Sequence, residues 1–187
     1  MANKDRVCPW WMGYFIDNPI RRFFQNPTKI INPYLKSGMR VLDIGCGMGI
    51  FSIASAEIVG AEGKVYSVDL QKRMLNTLIK RASRKKVADR IETKVCKPDS
   101  LDLNDLSNSI DFAIAFYMVH EVPDKQGFFK QVSETMKQGA KILIAEPQGH
   151  VTDEKLEITI DIAKSEGFEL INRPDISRSR SALLKKI

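Results

Sequence analysis

The chain has 187 residues, of which 43% are hydrophobic and 28% are charged, and its net charge is +6 at pH 7. This length is enough for one domain with a buried core, and the composition excludes a disordered or fibrous protein. The longest apolar run, residues 110–119, is too short to cross a bilayer, and residues 1–6 are polar with no secretory segment after them. We therefore expect a cytoplasmic protein.

The cysteines, histidines and basic residues bear on whether the protein binds a metal ion or nucleic acid. The three cysteines are scattered and odd in number, and there are only two histidines, so we expect neither a disulfide framework nor a metal site. Basic residues concentrate in 80–90 and 173–186. Because no aromatic residues interleave with them, a solvated helix face and a charged edge strand are favoured over a nucleic-acid interface.

Residues 1–37 differ from the rest and are predicted to form a helical cap on a core of residues 38–187, within a single domain. Asn-Pro steps recur in this segment, and each favours a helix capped by Asn with Pro at its first position. The steps are Asn18-Pro19, Asn26-Pro27 and Asn32-Pro33. Both tryptophans also lie here. They either pack to close the sheet or form a lid over a ligand.

Short apolar runs and amphipathic runs alternate through the core. Strands are predicted at residues 39–44, 64–68, 91–95, 111–117, 141–146, 168–172 and 181–186. Helices are predicted at residues 50–59, 71–86, 126–137 and 153–166. Such alternation is typical of a doubly wound α/β domain, with a mostly parallel sheet covered by helices on both faces. Its ligand should lie beyond the carboxyl ends of the strands, where the strand order reverses.

The most informative motif is residues 41–49, Val-Leu-Asp-Ile-Gly-Cys-Gly-Met-Gly, where a strand runs through a glycine turn into a helix. The glycines allow a sharp turn and a close backbone approach to a ligand, and the helix N-terminus favours an anionic group such as an amino-acid carboxylate. Asp43, two residues before the first glycine, would suit an ammonium group. Asp69 ends the second strand, where an acid binds ribose hydroxyls. Ammonium, carboxylate and ribose together describe S-adenosylmethionine (SAM).

The motifs resemble those of the class I SAM-dependent methyltransferases over nearly the whole chain. The glycine turn is similar to their first signature and residues 68–70 to their second. Residues 113–124 resemble the fourth-strand segment of the subgroup that includes quinone-biosynthesis and other small-molecule enzymes, and residues 137–146 also match. The resemblance implies a Rossmann-like seven-stranded sheet with an antiparallel last strand. It also implies methyl transfer from SAM, leaving S-adenosyl-L-homocysteine, to an acceptor that the sequence does not identify.

The resemblance also implies roles for individual residues. Gly45, Cys46 and Gly47 would line the methionine end of SAM. Asp69 would hold the ribose, with Leu70 and Met74 against the adenine. Phe116 would lie beside the sulfonium.

The loop after the third strand departs from the family. Where the family often has Gly-Asp-Ala, this chain reads Cys96-Lys97-Pro98 and then Asp99. Lys97 cannot accept a hydrogen bond from the adenine amino group, and Pro98 has no N–H to donate to the ring. Asp99 takes the adenine role if the loop is shifted, and otherwise it belongs to a turn.

Candidates for the acceptor side follow the fourth strand. His120 is the best general base, because imidazole titrates near neutral pH. The alternative is a histidine that packs and hydrogen-bonds at the strand end without acting as a base. Tyr117 is also placed at this strand end, while Trp10, Trp11 and Tyr14 are candidate lid residues that could contact a sulfonium or a flat acceptor.

Three other functions remain open from the sequence. A dinucleotide oxidoreductase has a similar turn, but the Gly-x-Gly-x-Gly spacing and Asp43 count against it. A nucleic-acid methyltransferase would use the positive charge, but the motifs of the amino-group and cytosine enzymes are missing. A fold relative that binds SAM or a partner protein without turnover is the third. Few insertions interrupt the core, which favours a small-molecule acceptor.

Overall fold

The computed structural model describes residues 25–187, and they contain one seven-stranded sheet. The strands are β1 Arg40–Ile44, β2 Lys64–Asp69, β3 Ile91–Val95, β4 Ile110–Phe116, β5 Met136–Pro147, β6 Phe168–Asn172 and β7 Ser179–Lys186. Their order is β3-β2-β1-β4-β5-β7-β6, and β7 is antiparallel to both of its neighbours. The predicted Rossmann-like sheet with an antiparallel last strand is confirmed.

Five helices accompany the sheet in the described residues. They are α1 Pro27–Ile31, α2 Ile50–Val59, α3 Lys72–Arg84, α4 Lys125–Thr135 and α5 Asp153–Ser165. Alternate residues of the central strands point to opposite faces, so two apolar cores form, one on each face. One core packs under α4 and α5 and contains Phe129 and Ile160, and the other packs under α2 and α3 and contains Leu78. The predicted helices on both faces are thus confirmed.

The element bounds differ from the predicted ones mainly around β5. The helix before it ends at Thr135, and Met136 already belongs to the strand, whereas helix was predicted as far as residue 137. Met136 is fully buried and pairs with Ile110 of β4, and this pairing decides its backbone conformation. A helical apolar spacing that continues by one residue into a strand cannot show that boundary.

Helix α2 is buried more completely than its apolar spacing predicted. Small residues, Ser52, Ser55 and Ala56, are fully buried, while Ile53 and Ile58 are only half-buried. The reason is that α2 packs against the sheet on one side and against α1 on the other, so little of its surface is left exposed besides Glu57.

The Asn-Pro steps have different outcomes. Asn26 caps α1, since its side chain accepts a hydrogen bond from the Lys29 N–H at 3.1 Å, and Pro27 is the first helical residue as predicted. The prediction for Asn32-Pro33 is wrong, because Asn32 ends this helix and a turn follows. Asn18-Pro19 lies outside the described residues, so a cap formed by the whole of residues 1–37 stays a prediction.

The strand order reverses between β1 and β4, because β2 and β3 extend the sheet in one direction from β1 and β5 extends it in the other from β4. The loops that leave these two strands must therefore diverge, and a crevice opens at their carboxyl ends. The glycine turn follows β1 and residues 117–121 follow β4, so both predicted halves of the site meet at this edge.

Candidate cofactor and acceptor site

The three glycines of the turn after β1 all have positive φ, at 65° for Gly45, 54° for Gly47 and 84° for Gly49. Any other L-residue would be strained there. A Cβ on the first glycine would lie 2.8 Å from Cγ of Met118, and one on the third would lie 2.4 Å from Cγ of Leu78. A Cβ on Gly47 would meet no atom within 4 Å. Two of the glycines thus permit close packing, whereas Gly47 borders open space.

Asp69 ends β2 beside this turn and ties it to the next helix. Its two carboxylate oxygens accept hydrogen bonds from the backbone N–H groups of Gly47, at 2.9 Å, and Gln71, at 2.8 Å. Burial raises the pKa of Asp69, and these two hydrogen bonds partly offset the rise. Each oxygen keeps a further lone pair, so the carboxylate can still accept from ligand hydroxyls.

Asp43 lies one strand away from Asp69 and is only 2% exposed. The Ser52 hydroxyl of α2 donates to its carboxylate at 2.5 Å, and the Ser67 hydroxyl bonds Ser52 at 2.8 Å. Burial raises the pKa of Asp43 to about 7, because desolvation outweighs the hydrogen bond from Ser52. The carboxyl group is therefore balanced between its neutral and charged forms near physiological pH, which suits a group that meets a cation only when a ligand binds.

Two cysteines lie near these carboxylates. Cys46 is buried within the glycine turn, and burial raises the pKa of its thiol well above the ordinary value. Burial likewise raises the pKa of Cys96, after β3, to about 11. Both thiols are protonated at neutral pH, so they can pack against a ligand but are poor nucleophiles.

The residues predicted to hold adenine lie in two different settings. Leu70 is half-buried after β2, and Met74 is buried on α3. In contrast, Pro98 and Asp99 are exposed and occupy the tip of a tight turn closed by two backbone hydrogen bonds between Lys97 and Ser100. The structure does not bring these two into the buried part of the site, and their contact with adenine stays a prediction.

An aromatic wall borders the edge beyond β4. Phe116 lies between Phe51 and Tyr117, with ring centroids 4.4 Å and 4.5 Å away, and is 8% exposed. Tyr117 has a positive φ of 62°, an uncommon conformation for a bulky residue, and such strain often occurs at functional sites. The place predicted for the sulfonium is thus bordered by aromatic rings that are tilted against one another, by 34° and 33°.

The hydroxyl of Tyr117 joins three distant segments of the chain. The Gln25 amide donates to it at 2.5 Å, and it shares a hydrogen bond with the Ser179 hydroxyl at 2.8 Å. Gln25 is buried and also donates to the Ser177 carbonyl at 2.6 Å. These bonds hold the strained Tyr117 against the start of β7 and against Gln25, two residues before α1.

His120 lies in a short 3₁₀ turn, Val119–Glu121, that follows β4. Its Nδ1 hydrogen-bonds the carboxylate of Glu146, which is 2% exposed near the end of β5. The second carboxylate oxygen accepts from the Val119 N–H at 2.8 Å. The hydrogen bond with Glu146 raises the pKa of His120 against the opposing effect of burial. This is an imidazole held by a carboxylate, an arrangement able to take up a proton.

The remaining predictions concern a metal site, a membrane span and the lid. Within residues 25–187 no group of three potential ligands could hold a metal ion. None of the helices in that part of the chain is long and apolar enough to cross a membrane. Trp10, Trp11 and Tyr14 lie outside the described residues, so the lid stays a prediction.

Comparison with known proteins agrees with this geometry. A family model described as a methyltransferase domain matches residues 35–175, three quarters of the chain. The chain belongs to the class I SAM-dependent methyltransferases. SAM is therefore its cofactor. Gly47, which borders open space beside Asp69, leaves room for such a ligand close to the backbone.

Individual relatives of this methyltransferase are more distant. A demethylmenaquinone methyltransferase of Staphylococcus aureus (strain MRSA252) is 28% identical over 112 residues, which are 60% of this chain and 44% of the relative. One from Geobacillus sp. (strain WCH70) is 27% identical, over 60% of this chain and 47% of its own. The methyltransferase thus spans less than half the length of the curated relatives it matches.

Solved structures share its fold. A SAM-dependent methyltransferase from Aquifex aeolicus superposes with a TM-score of 0.85 at 21% identity, covering 97% of this chain and all of that one. A second neighbour is a Haemonchus contortus phosphoethanolamine N-methyltransferase in complex with phosphomonomethylethanolamine and S-adenosylhomocysteine. It superposes with a TM-score of 0.63 at 25% identity, covering 79% of this chain and 38% of that one.

The sequence predictions missed three residues that structure the site of this methyltransferase: Glu146, Gln25 and Ser179. Glu146 was treated only as the end of a strand, although the strand-end reasoning that selected Asp43 and Asp69 applies equally to it. Gln25 and Ser179 carry no comparable signal, because their partner Tyr117 is 92 and 62 residues away along the chain.

Proposed function

We propose that this methyltransferase transfers the methyl group of SAM to a small-molecule acceptor that lies at the carboxyl ends of β4 and β5. The observation that carries the proposal is that the open glycine turn and the His120–Glu146 pair flank the same crevice. SAM supplies an electrophilic methyl group on a positively charged sulfur, so the protein has to align the acceptor, exclude water and accept any proton that the acceptor loses.

The cofactor half of the site is assigned on the following grounds. Gly45, Cys46 and Gly47 form the turn assigned to the methionine part, and Gly47 borders the open space that would receive it. Asp69 accepts from the ribose hydroxyls with its spare lone pairs, and Asp43, buried on the neighbouring strand, serves as a counter-charge for the ammonium group. Leu70 and Met74 supply apolar surface for the adenine.

The acceptor half is assigned to the residues beyond β4. The rings of Phe116 and Tyr117 give an aromatic surface beside the methyl group, and His120 takes the acceptor's proton. Two facts favour a small acceptor. The described loops around the crevice are short, and the curated relatives are named for demethylmenaquinone, a small molecule. A cytoplasmic location accords with this proposal and stays a prediction.

A nucleic-acid acceptor is the alternative. It was suggested by two basic regions, and the structure weakens the argument from the C-terminal one. In the C-terminal basic region Arg173, Arg180 and Lys185 each pair with an acidic residue. The other basic region, residues 80–90, begins on α3 and continues past its end, where Lys85 pairs with Glu57. Salt-sensitive binding to heparin, together with methylation of RNA or DNA, would favour this alternative over the small-molecule one.

The cofactor assignment is tested by calorimetric titration of the protein with SAM and with NAD. We expect micromolar SAM binding, no heat with NAD, and at least a tenfold loss of SAM affinity in Asp69→Ala, about 1.4 kcal/mol. The matched control is Asp111→Ala. Asp111 also accepts from a backbone N–H, that of Arg40 at 2.8 Å, but at the opposite edge of the sheet. Equal losses in the two variants would contradict the assignment of Asp69.

The acceptor assignment is tested with a panel that contains a phenol, a hydroquinone, a primary amine, a thiol and a short RNA. Release of S-adenosylhomocysteine is measured with each compound. We expect release with at least one small molecule and none with the RNA. Release with the RNA alone would replace the small-molecule proposal, and release with none of the five while SAM still binds would contradict it.

A further inference from the structure

The Glu146 carboxylate is the most deeply buried acid on the acceptor side of the site. The residue before it, Ala145, pairs with Phe116, the last residue of β4, so Glu146 lies one step beyond that strand. It points toward the face of the sheet under α4 and α5, where the turn that contains His120 crosses. Its side chain is 2% exposed, whereas that of His120 is 24% exposed.

The two carboxylate oxygens of Glu146 have different partners, and together these determine the protonation of the imidazole. Oε1 accepts from the Val119 N–H at 2.8 Å, and a backbone N–H can only donate. Oε2 bonds Nδ1 of His120. With the carboxylate ionised, Nδ1 must carry the hydrogen and donate it, so neutral His120 has its free lone pair on Nε2.

The ring of His120 is surrounded by several titratable or charged groups. Glu146 of β5 lies at Nδ1, and Glu121 of the same turn lies 4.0 Å from Nε2. Lys125 of α4 opposes protonation, and the ring of His150, after β5, packs edge-on with centroids 5.8 Å apart. The two acids favour the imidazolium form, so the ring can hold a proton after it has taken one.

We propose that Glu146 is a positioning residue, which holds His120 in the Nδ1–H tautomer and directs Nε2 at the acceptor as the proton-accepting atom. This inference rests on the proposed function above. It implies that the acceptor arrives with a proton on its reacting atom. As that atom attacks the methyl carbon, the bond from this carbon to sulfur breaks, and its electron pair stays on sulfur. The acceptor's proton moves to His120 Nε2 and later leaves to solvent.

The variant that isolates this role is Glu146→Gln, because it keeps the shape and removes the charge. The Gln carbonyl oxygen must still accept from the Val119 N–H, so its NH₂ group faces Nδ1 of His120. Nδ1 then becomes the acceptor, and the ring hydrogen moves to Nε2, the position that should accept the acceptor's proton. The matched control is Glu121→Gln, which removes an acid near Nε2 but leaves the bonds of Nδ1 in place.

The tautomer can be read directly by nitrogen-15 NMR, because the chain has only two histidines and His150→Gln assigns the other signal. We expect neutral His120 to carry its proton on Nδ1 in the native protein and in Glu121→Gln, and on Nε2 in Glu146→Gln. We also expect the pKa of His120 to fall in Glu146→Gln, because its largest stabilising partner is lost. An unchanged tautomer in Glu146→Gln would overturn the proposal.

Turnover with the compound that releases S-adenosylhomocysteine tests the consequence. We expect kcat at pH 7 to fall about 100-fold or more in His120→Asn and at least about tenfold in Glu146→Gln, with SAM affinity unchanged. The double variant should be no slower than His120→Asn, because Glu146 acts through His120. Full activity in Glu146→Gln would overturn the proposal. If the native protein itself did not bind SAM, the proposed function would be contradicted instead.

Discussion

The two halves of the crevice are built in different ways. On the cofactor side, the bonds of Asp69 reach Gly47 and Gln71, 22 and 2 residues away, and Asp43 meets Ser52, 9 residues away. On the acceptor side, Tyr117 is held by Gln25 and Ser179, at separations of 92 and 62 residues. A site made from near neighbours in sequence leaves a readable motif, while one made from distant segments does not.

The largest expected effect concerns the pH dependence of stability on the cofactor side. Burial raises the pKa of Asp43 to about 7 in the folded protein, against an ordinary value of 3.8. The folded state thus binds the proton more tightly than the unfolded state. The raised pKa of Asp43 therefore contributes to stability in full below about pH 4, and this contribution is lost as pH rises through 7. We expect the native protein to lose about 2–3 kcal/mol more than Asp43→Asn between pH 5 and pH 8.

Urea denaturation of both proteins across that pH range measures this difference. His120 acts in the same direction, because its pKa is also raised and its contribution is lost as pH rises above about 6.5. Since His120 is present in both proteins, the difference between the two curves isolates Asp43. Parallel curves would show that Asp43 keeps its ordinary pKa and is charged throughout this pH range.

The second effect separates backbone strain from ligand contact. Gly47 and Gly139 both have positive φ, at 54° and 77°, and a Cβ on either would meet no atom within 4 Å. Alanine at each position should therefore destabilise the fold by a similar amount, about 1–2 kcal/mol. Only Gly47→Ala should weaken SAM binding, by at least about tenfold, because its Cβ would enter the space next to Asp69.

Calorimetry and thermal unfolding of the same two variants make the comparison. If Gly139→Ala weakened SAM binding as much as Gly47→Ala, the loss would come from backbone strain alone. The proposal that SAM occupies the space beside Gly47 would then be disproved.

The third effect tests how the acceptor side is held. Tyr117→Phe removes the hydroxyl that joins Gln25 to Ser179, and the buried Gln25 amide loses an acceptor. We expect a loss of about 1–2 kcal/mol in the free energy of unfolding, with SAM affinity unchanged. Tyr34→Phe is the control, since the ring of Tyr34 stacks on Phe112 and this stacking survives the change. A loss of SAM affinity in Tyr117→Phe would show that the two halves are coupled.

The smallest effect concerns the two Asn-Pro steps that the structure describes. Asn26 caps α1 through its side chain, whereas Asn32 ends the same helix. Both are exposed, so Asn26→Ala should cost about 1 kcal/mol of stability, and Asn32→Ala should cost clearly less. Urea denaturation measures both. Equal costs would mean that the cap contributes nothing and that Gln25 alone fixes the start of this helix.

The sequence by itself determined the sheet and the helices on both faces, and it singled out the glycine turn and the two buried carboxylates beside it. Asp43 and Asp69 end apolar strands, and the three glycines occupy a turn that few other residues tolerate, so local rules of burial and backbone conformation identify them. The start of β5 at Met136 escaped prediction, because its pairing with Ile110 decides it and strand pairing is not local.

Only the tertiary structure decided how the acceptor side is assembled. His120 was recognised as a candidate from its place after β4, but its carboxylate partner was not. Whether Glu146 meets His120 depends on how far β5 extends past β4 and on the path of the turn between them. The same holds for Gln25 and Ser179 at Tyr117. Polar contacts between segments distant in sequence depend on strand order and register, and no local pattern encodes either.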